Sequence, residues 1–292
     1  MTGDNETLGK ADFGHVDNMP DPRGYYRTLG ELDYEIPDRA QPVLRGLLAA
    51  RRQVEPDRHS PQRVFDVCCS YGINAALLRY KVTFADVQHH YAGLDGLSVP
   101  ELHDADESFY TDQARREPVR VAGLDIAQQA IAYGCSVGLL DTGFAEDLED
   151  DEPSTGCSDE LSRVDLITTT GGVGYITDRT FDRLLRPAAD RAGEPPWVAA
   201  LVLRMFPYDD IATTLAGHGL VTERLEGVTF PQRRFADADE QDAAVRAVRD
   251  RGLATSGLED DGGYHADLFV SRSPSEVARQ PLNALLTNAA TG

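Results

Sequence analysis

From Arg63 onward, apolar positions along the chain follow two alternating rhythms. The short runs "RVFDVC", "VRVAGLD", "VDLITTT" and "WVAALVLRMF" are rich in Val, Leu and Ile with few polar interruptions, the pattern of strands covered on both faces. Between them, the apolar residues of "NAALLRY", "AQQAIAYG" and "DRTFDRLLRPAADRA" recur at helical spacing. Two more helical patterns, "DDIATTLAG" and "DEQDAAVRAVRDRG", follow with "LVTERLEGVTF" between them and "HADLFVSRS" after them. This alternation predicts an α/β fold with a mostly parallel, doubly wound sheet and helices on both faces. The last two strand-like runs, separated by a single helix, leave room for an antiparallel closing strand.

Two regions depart from the rhythm. Residues 1–61 are a polar lead-in whose "YYRTLGELDYEIPDRAQPVLRGLLAARR" sets Val43, Leu44, Leu47 and Leu48 at a helical period, predicting an N-terminal helical cap. Residues 81–118 hold "TFADVQHHYAGL", with a Thr83/Asp86 cap, and "PELHDADESFYTDQARR", with Leu102, Ala105 and Phe109 in helical register; they read as two inserted helices. The expected organisation is a cap over 1–61, a ligand-binding domain over 62–275 that contains the insertion, and a flexible tail over 276–292. The acidic, turn-rich "EDLEDDEPSTGCSDELS" reads as a solvated, mobile loop and "PQRRF" as a solvated bend.

Composition narrows the function classes. The 292 residues are 41% hydrophobic, enough for a substantial core, and carry a formal charge of −21. That field repels phosphate backbones, and no basic run offsets it, since Lys10 and Lys81 are the only lysines; nucleic acids and anionic membranes are excluded as expected partners. Cys68, Cys69, Cys135 and Cys157 form no CxxC pair and have no His at metal-ligand spacing, so neither a metal site nor a disulfide framework is expected. A reducing cytoplasmic location follows as the simplest expectation, because the first residues lack a signal-like pattern and the longest apolar run, "WVAALVL", is far below a membrane span.

The candidate chemistry begins at "DVCCSYG". In an open parallel sheet, ligands sit beyond the carboxyl ends of the strands, where strand order reverses. Gly72 permits a tight turn there, Cys68, Cys69 and Ser70 are small enough for close approach, and the helix start that follows suits an anionic group. Asp66 at the strand end suits a cation, and an α-amino acid satisfies both demands. The next strand ends in "GLDIAQQA", with Asp125 placed to accept hydrogen bonds from ribose hydroxyls. An amino acid at one end and a ribose at the other describe S-adenosylmethionine. A nicotinamide cofactor fits less well, because "CCSYG" lacks the glycine that admits a pyrophosphate.

At these residues the chain resembles the class I S-adenosylmethionine-dependent methyltransferases. "VFDVCCSYG" is similar to their first glycine-rich motif, "VAGLDIAQQAIAYG" to the second, "GLLDTGFAEDLE" to the adenine-side motif and "VDLITTTGGVGYIT" to the fourth-strand motif, together spanning about 63–272. The resemblance implies a Rossmann-like methyltransferase fold with a seven-stranded sheet. It also implies that Asp66, Cys69, Ser70 and Gly72 lie at the methionine part of the cofactor. Asp125 would meet the ribose, Ile126 the adenine face, the backbone near Ala145 and Glu146 the adenine edge, and Thr170 and Gly171 the methyl-transfer site. The chain departs from the family at Cys68 and Ser70, where glycine is usual or frequent, and at Phe144, where an adenine-binding Asp is usual; adenine recognition then falls to backbone, Glu146 or Asp147. The long gap from Asp66 to Asp125 is assigned to the inserted helices.

Outside the motifs, His90 is a candidate general base, although neighbouring helix positions face different ways and only one of His89 and His90 can point inward. Tyr175, just after "TGGVG", is the other catalytic candidate. Arg204 pairs either with a substrate carboxylate or with an Asp at the core edge, and Tyr25 and Tyr26 in the cap are placed to close over a substrate. The expected activity is methyl transfer to a small molecule. The alternatives are another S-adenosylmethionine reaction, such as cyclisation of its amino acid arm, or a non-catalytic binding module on the same fold.

Overall fold

In the computed structural model, the described residues are 17–54, 61–116, 118–189 and 195–289. Eight strands form one sheet: β1 (Gln62–Val67), β2 (Val119–Leu124), β3 (Thr142–Phe144), β4 (Leu166–Thr170), β5 (Trp197–Leu203), β6 (Val221–Arg224), β7 (Phe230–Arg234) and β8 (Gly263–Arg272). Their order is β3-β2-β1-β4-β5-β8-β6, with β7 also paired to β8. The pairings β3/β2, β2/β1, β1/β4 and β4/β5 are parallel, and β8 runs antiparallel to β5 from Val198↔Ser271 to Leu203↔Ala266. The sheet is therefore doubly wound and mostly parallel, as the alternating pattern predicts.

The expected count of seven strands is exceeded for a local reason. β6 pairs with the C-terminal half of β8 (Val221↔Arg272 to Arg224↔Phe269) and β7 with its N-terminal half (Phe230↔Ala266). The two occupy one edge position, an outer strand broken at 225–229 where Gly227 has φ 76°. Leu225 N–H still reaches Leu268 O at 2.9 Å before the chain leaves the ladder. "PQRRF" thus belongs to an edge strand and is no solvated bend: Arg233 is buried and makes a bidentate pair with Glu240 at 2.7 and 2.9 Å.

The helices in chain order are α1 (Arg23–Glu31), α2 (Ile36–Val54), α3 (Ile73–Arg79), α4 (Phe84–Ala92), α5 (Val99–Asp112), α6 (Gln128–Ser136), α7 (Thr155–Leu161), α8 (Asp178–Ala189), α9 (Asp209–Gly217), α10 (Ala238–Asp250), α11 (Pro274–Arg279) and α12 (Leu282–Ala289). The inserted pair, α4 and α5, forms as the sequence predicts. Capping boxes start both: Thr83 with Asp86, and Ser98 with Glu101. The cap helices α1 and α2 bury Tyr25, Tyr26, Leu29, Leu44, Leu47 and Leu48. Strand β5 is buried along its whole length, which explains its uninterrupted apolar run.

Two stretches expected to be mobile make specific contacts. The acidic stretch is tied down: Glu149 accepts hydrogen bonds from Thr177 N–H (2.7 Å), Thr177 Oγ1 (2.8 Å) and Thr180 Oγ1 (2.6 Å), Glu146 accepts from Ser154 N–H and Oγ, and α7 follows directly. Its carboxylates cap helix starts, where negative charge is favoured. Residues 276–289 lie in α11, α12 and the turn between them, with α12 against α2 and Leu282 and Leu285 buried. Buried Glu276 fastens this end, accepting from Arg51 Nη1 at 2.7 Å and from Trp197 Nε1 at 2.9 and 3.0 Å.

Candidate functional site

Strand order reverses at β1, which has β2 on one side and β4 on the other, so a crevice opens beyond the carboxyl ends of these strands. The loop leaving β1 is held in an uncommon backbone shape, with Cys68 at φ 57°, Ser70 at φ 47° and Gly72 at φ 84°. L-residues other than glycine pay about 1–2 kcal/mol for the left-handed conformation. Cys68 and Ser70 are the positions where the family prefers glycine, so the departure noted in the sequence is carried as backbone strain.

The loop's amides are engaged within the protein. Cys69 N–H donates to Leu124 O (3.2 Å), Ser70 N–H to Asp125 Oδ2 (2.9 Å) and Gly72 N–H to Cys69 O (2.9 Å). Asp125 is the clamp between loops: its other oxygen, Oδ1, accepts from Ala127 N–H at 2.9 Å. A carboxylate has roughly four lone-pair directions, and with the N–H groups of Ser70, Ala127 and Ile126 turned to it about one remains on Asp125 for a ligand. Burial raises its pKa, opposed by the backbone N–H groups of Ala127, Ser70 and Ile126.

Above this loop lies a cavity of about 1390 Å³. Its floor includes Ser70, Asp125 and Thr170, and one end is walled by Glu146 and Asp147. The N-terminal strap crosses it: Asp17 and Asn18 line the cavity, Asn18 Oδ1 accepts from Gln129 N–H at 2.8 Å, and Met19 exchanges two hydrogen bonds with the Tyr71 hydroxyl. Two large apolar side chains stand open in the cavity, Ile126 at 71% exposure and Tyr175 at 44%. Ser70 Oγ, next to the Tyr25 hydroxyl, is buried without a hydrogen bond of ordinary geometry.

Tyr25, Ser70, Asp125, Ile126, Glu146, Thr170, Gly171 and Tyr175 are thus brought together as the sequence suggests. Others are not. Asp66 is fully buried beneath the floor, where Asn74 Nδ2 donates to both its oxygens (3.1 and 3.2 Å) and to Thr170 Oγ1 (3.1 Å). Burial pushes the Asp66 pKa up to about 7, with Asn74 opposing and Asp125 adding to the rise. Cys69 turns under the sheet and packs below Gly123, where an added Cβ would stand 2.6 Å from its Sγ. Gly72 shapes the turn and faces Leu139 and Leu140, and Ala145 faces solvent outside the cavity.

The remaining corrections have one cause: each side chain already has a structural partner. Tyr26, one helix position past Tyr25, points into the core and stacks on Tyr91 at 4.4 Å. His90 lies 2.6 Å from the buried Asp106 carboxylate and stacks on Phe109 at 4.1 Å, fastening α4 to α5 away from the cavity. Arg204 is buried on Glu259 at 2.6 Å and Ala254 O at 2.7 Å, so its partner is neither a substrate nor the expected Asp but a buried Glu. Conversely, Asp17, Tyr34 and Gln232 line the cavity without having been singled out. They lie on the cap and the edge strand, whose approach to the crevice no local pattern encodes. Among the described residues, no cluster of His, Cys, Asp or Glu is arranged to hold a metal.

No family model and no curated protein matches this chain. Solved structures do. A sugar N-methyltransferase from Streptoalloteichus sp. is 12% identical with a TM-score of 0.41, covering 85% of this chain and 91% of that one. A TehB-like SAM-dependent methyltransferase from Corynebacterium glutamicum is 14% identical with a TM-score of 0.36, covering 80% and 96%. Magnesium protoporphyrin IX methyltransferase from Synechocystis PCC 6803, solved with bound SAM, is 13% identical with a TM-score of 0.35, covering 80% of each chain. At such identities and TM-scores, the case for a ligand rests on this chain's own side chains.

Proposed function

We propose that this protein is an S-adenosylmethionine-dependent methyltransferase acting on a small molecule. The observation that carries the reading is the pairing of Asp125 and Ile126 at the switch point: a carboxylate with acceptor capacity to spare, followed by an aliphatic side chain left open inside a cavity. A ribose diol and the flat face of an adenine fit that pair. Apolar surface standing in a cavity is the usual mark of a ligand site.

The rest of the cavity fits the same group. Ser70 Oγ, a buried hydroxyl lacking an ordinary hydrogen bond, is available to the amino acid end. The acidic strap and walls favour a cationic sulfonium over a phosphate-bearing cofactor. Glu146 and Asp147 follow Phe144 and line the cavity, which supports recognition of the adenine edge by them or by the backbone beside them in place of the family's usual Asp.

When bound, S-adenosylmethionine supplies an electrophilic methyl on a sulfonium. The protein's task is then alignment and exclusion of water, worth several kcal/mol when the reacting atoms are held in near-attack geometry. Asp125 and Ile126 fix the nucleoside, and Thr170 and Gly171 at the end of β4 bound the methyl side. The strap and Tyr25 cover the cavity from above. Tyr175, half-exposed inside the cavity, is the phenol placed to touch an acceptor, and its backbone is fixed by a hydrogen bond from its N–H to Gly172 O at 3.0 Å. Neither His90 nor Arg204 takes part.

Product identification tests the reaction class. The chain is incubated with S-adenosylmethionine and a small-molecule extract, and the nucleoside product is analysed. S-adenosylhomocysteine, together with a molecule heavier by one CH₂, is expected. Methylthioadenosine would instead mark cleavage at another carbon and overturn methyl transfer.

A further inference from the structure

The part of the cavity beyond Gly171 has a chemistry of its own. It is lined by Tyr25, Tyr34, Tyr175, Asp17 and Gln232. Gln232, on β7, is 4% exposed, and its Oε1 has no hydrogen-bond partner. The residue is held firmly at the backbone, where its carbonyl accepts from Glu35 N–H at 2.8 Å. Its amide nitrogen lies over Gly171 so closely that an added Cβ there would stand 2.5 Å away, so Gly171 keeps this space clear for the amide. A buried amide oxygen without a donor is a deficit that a ligand N–H removes.

The charges point the same way. Asp17 lies close enough to Tyr25 and Tyr34 for its charge to act on both phenols. Of the cations lining the cavity, Arg233 also acts on Tyr34 but has its guanidinium bound to Glu240, and Arg179 is exposed on α8. A carboxylate or phosphate entering this chamber meets aromatic faces and an acidic residue. An amine meets a carboxylate, tyrosine faces that attract cations, and an amide oxygen that accepts its N–H.

We infer that this chamber is the acceptor subsite and that it selects an amine-bearing small molecule, with Gln232 as the specificity-determining residue. The inference rests on the methyltransferase reading, which identifies the neighbouring part of the cavity as the cofactor's.

The test uses the full chain saturated with S-adenosylhomocysteine and two probes of matched shape, phenethylamine and 3-phenylpropionate, titrated by calorimetry. Phenethylamine is expected to bind roughly tenfold or more tightly than 3-phenylpropionate, as a charge-sign preference in a screened acidic site gives. Gln232→Leu should weaken phenethylamine about fivefold or more while leaving S-adenosylhomocysteine affinity unchanged, the scale of one hydrogen bond. Asp17→Asn should narrow the gap between the two probes. Equal or tighter binding of 3-phenylpropionate, no binding of phenethylamine, or an unaltered Gln232→Leu variant overturns the inference. If S-adenosylhomocysteine itself fails to bind, the cofactor reading falls first; if it binds and the amine does not, only the acceptor assignment falls.

Discussion

At the scale of single residues, the site is built from groups in uncomfortable states. Asp66 is the clearest. Its pKa, raised to about 7, means the folded chain keeps a proton there that the unfolded chain has already released. Between the usual carboxylate range and pH 7 the native state therefore binds more protons, and this residue's contribution to stability falls as pH rises. Asp66→Asn keeps an acceptor for Asn74 and removes the buried charge, so it should stabilise the ligand-free chain at pH 8 by on the order of 2 kcal/mol. Thermal melts at pH 8 and pH 4.5 check this, with little gain expected at the lower pH. Ser70→Gly relieves a positive φ and removes a poorly bonded hydroxyl; a gain of about 1 kcal/mol in urea unfolding is expected, with weaker S-adenosylhomocysteine binding. Asp125, Ile126, Ser70 and Tyr175 were legible because motif spacing fixes which residue ends each strand. The inward placing of Asp66 was not, because the alternation of a doubly covered strand leaves both faces apolar and does not tell floor from crevice.

At the scale of elements, the alternating pattern predicted the strands, the helices between them and the inserted pair α4 and α5. Their capping residues were visible, and the Thr83/Asp86 box forms as expected. The broken edge strand escaped because "LVTERLEGVTF" reads as one run, and only its pairing with β8 shows that Glu226 to Thr229 leaves the ladder. The C-terminal helices escaped for a related reason. What orders them is Glu276, whose partners Arg51 and Trp197 lie on α2 and β5, far away in sequence. Glu276→Ala should cost about 3–5 kcal/mol, since it leaves the buried Arg51 guanidinium without its carboxylate. Chemical denaturation of the two chains measures this. His90 and Arg204 show the limit of reading chemistry from residue type alone. Arg204→Ala is expected to lower stability by a similar amount through the stranded Glu259, with S-adenosylhomocysteine affinity of the still-folded chain retained.

At the scale of the whole molecule, the formal charge of −21 argues against polyanionic partners and in favour of cationic ligands. No helix among the described residues is long and apolar enough to cross a membrane. The same field distinguishes the two forms of the proposed cofactor, because the sulfonium is cationic and the product thioether is not. The preference for S-adenosylmethionine over S-adenosylhomocysteine should therefore shrink as salt rises from about 0.01 M to 1 M, where the screening length falls from about 30 Å to 3 Å. The central claim is that Asp125 and Ile126 hold an adenosine in this crevice. Calorimetric titration of S-adenosylhomocysteine into the wild-type chain and into Asp125→Asn, which keeps an acceptor for the loops while losing the charge, tests it most directly. The account predicts saturable one-to-one binding by the wild type, weakened about tenfold or more in the variant, the scale of a charge-assisted hydrogen bond. Absence of binding by the wild type, or equal binding by both chains, would contradict it.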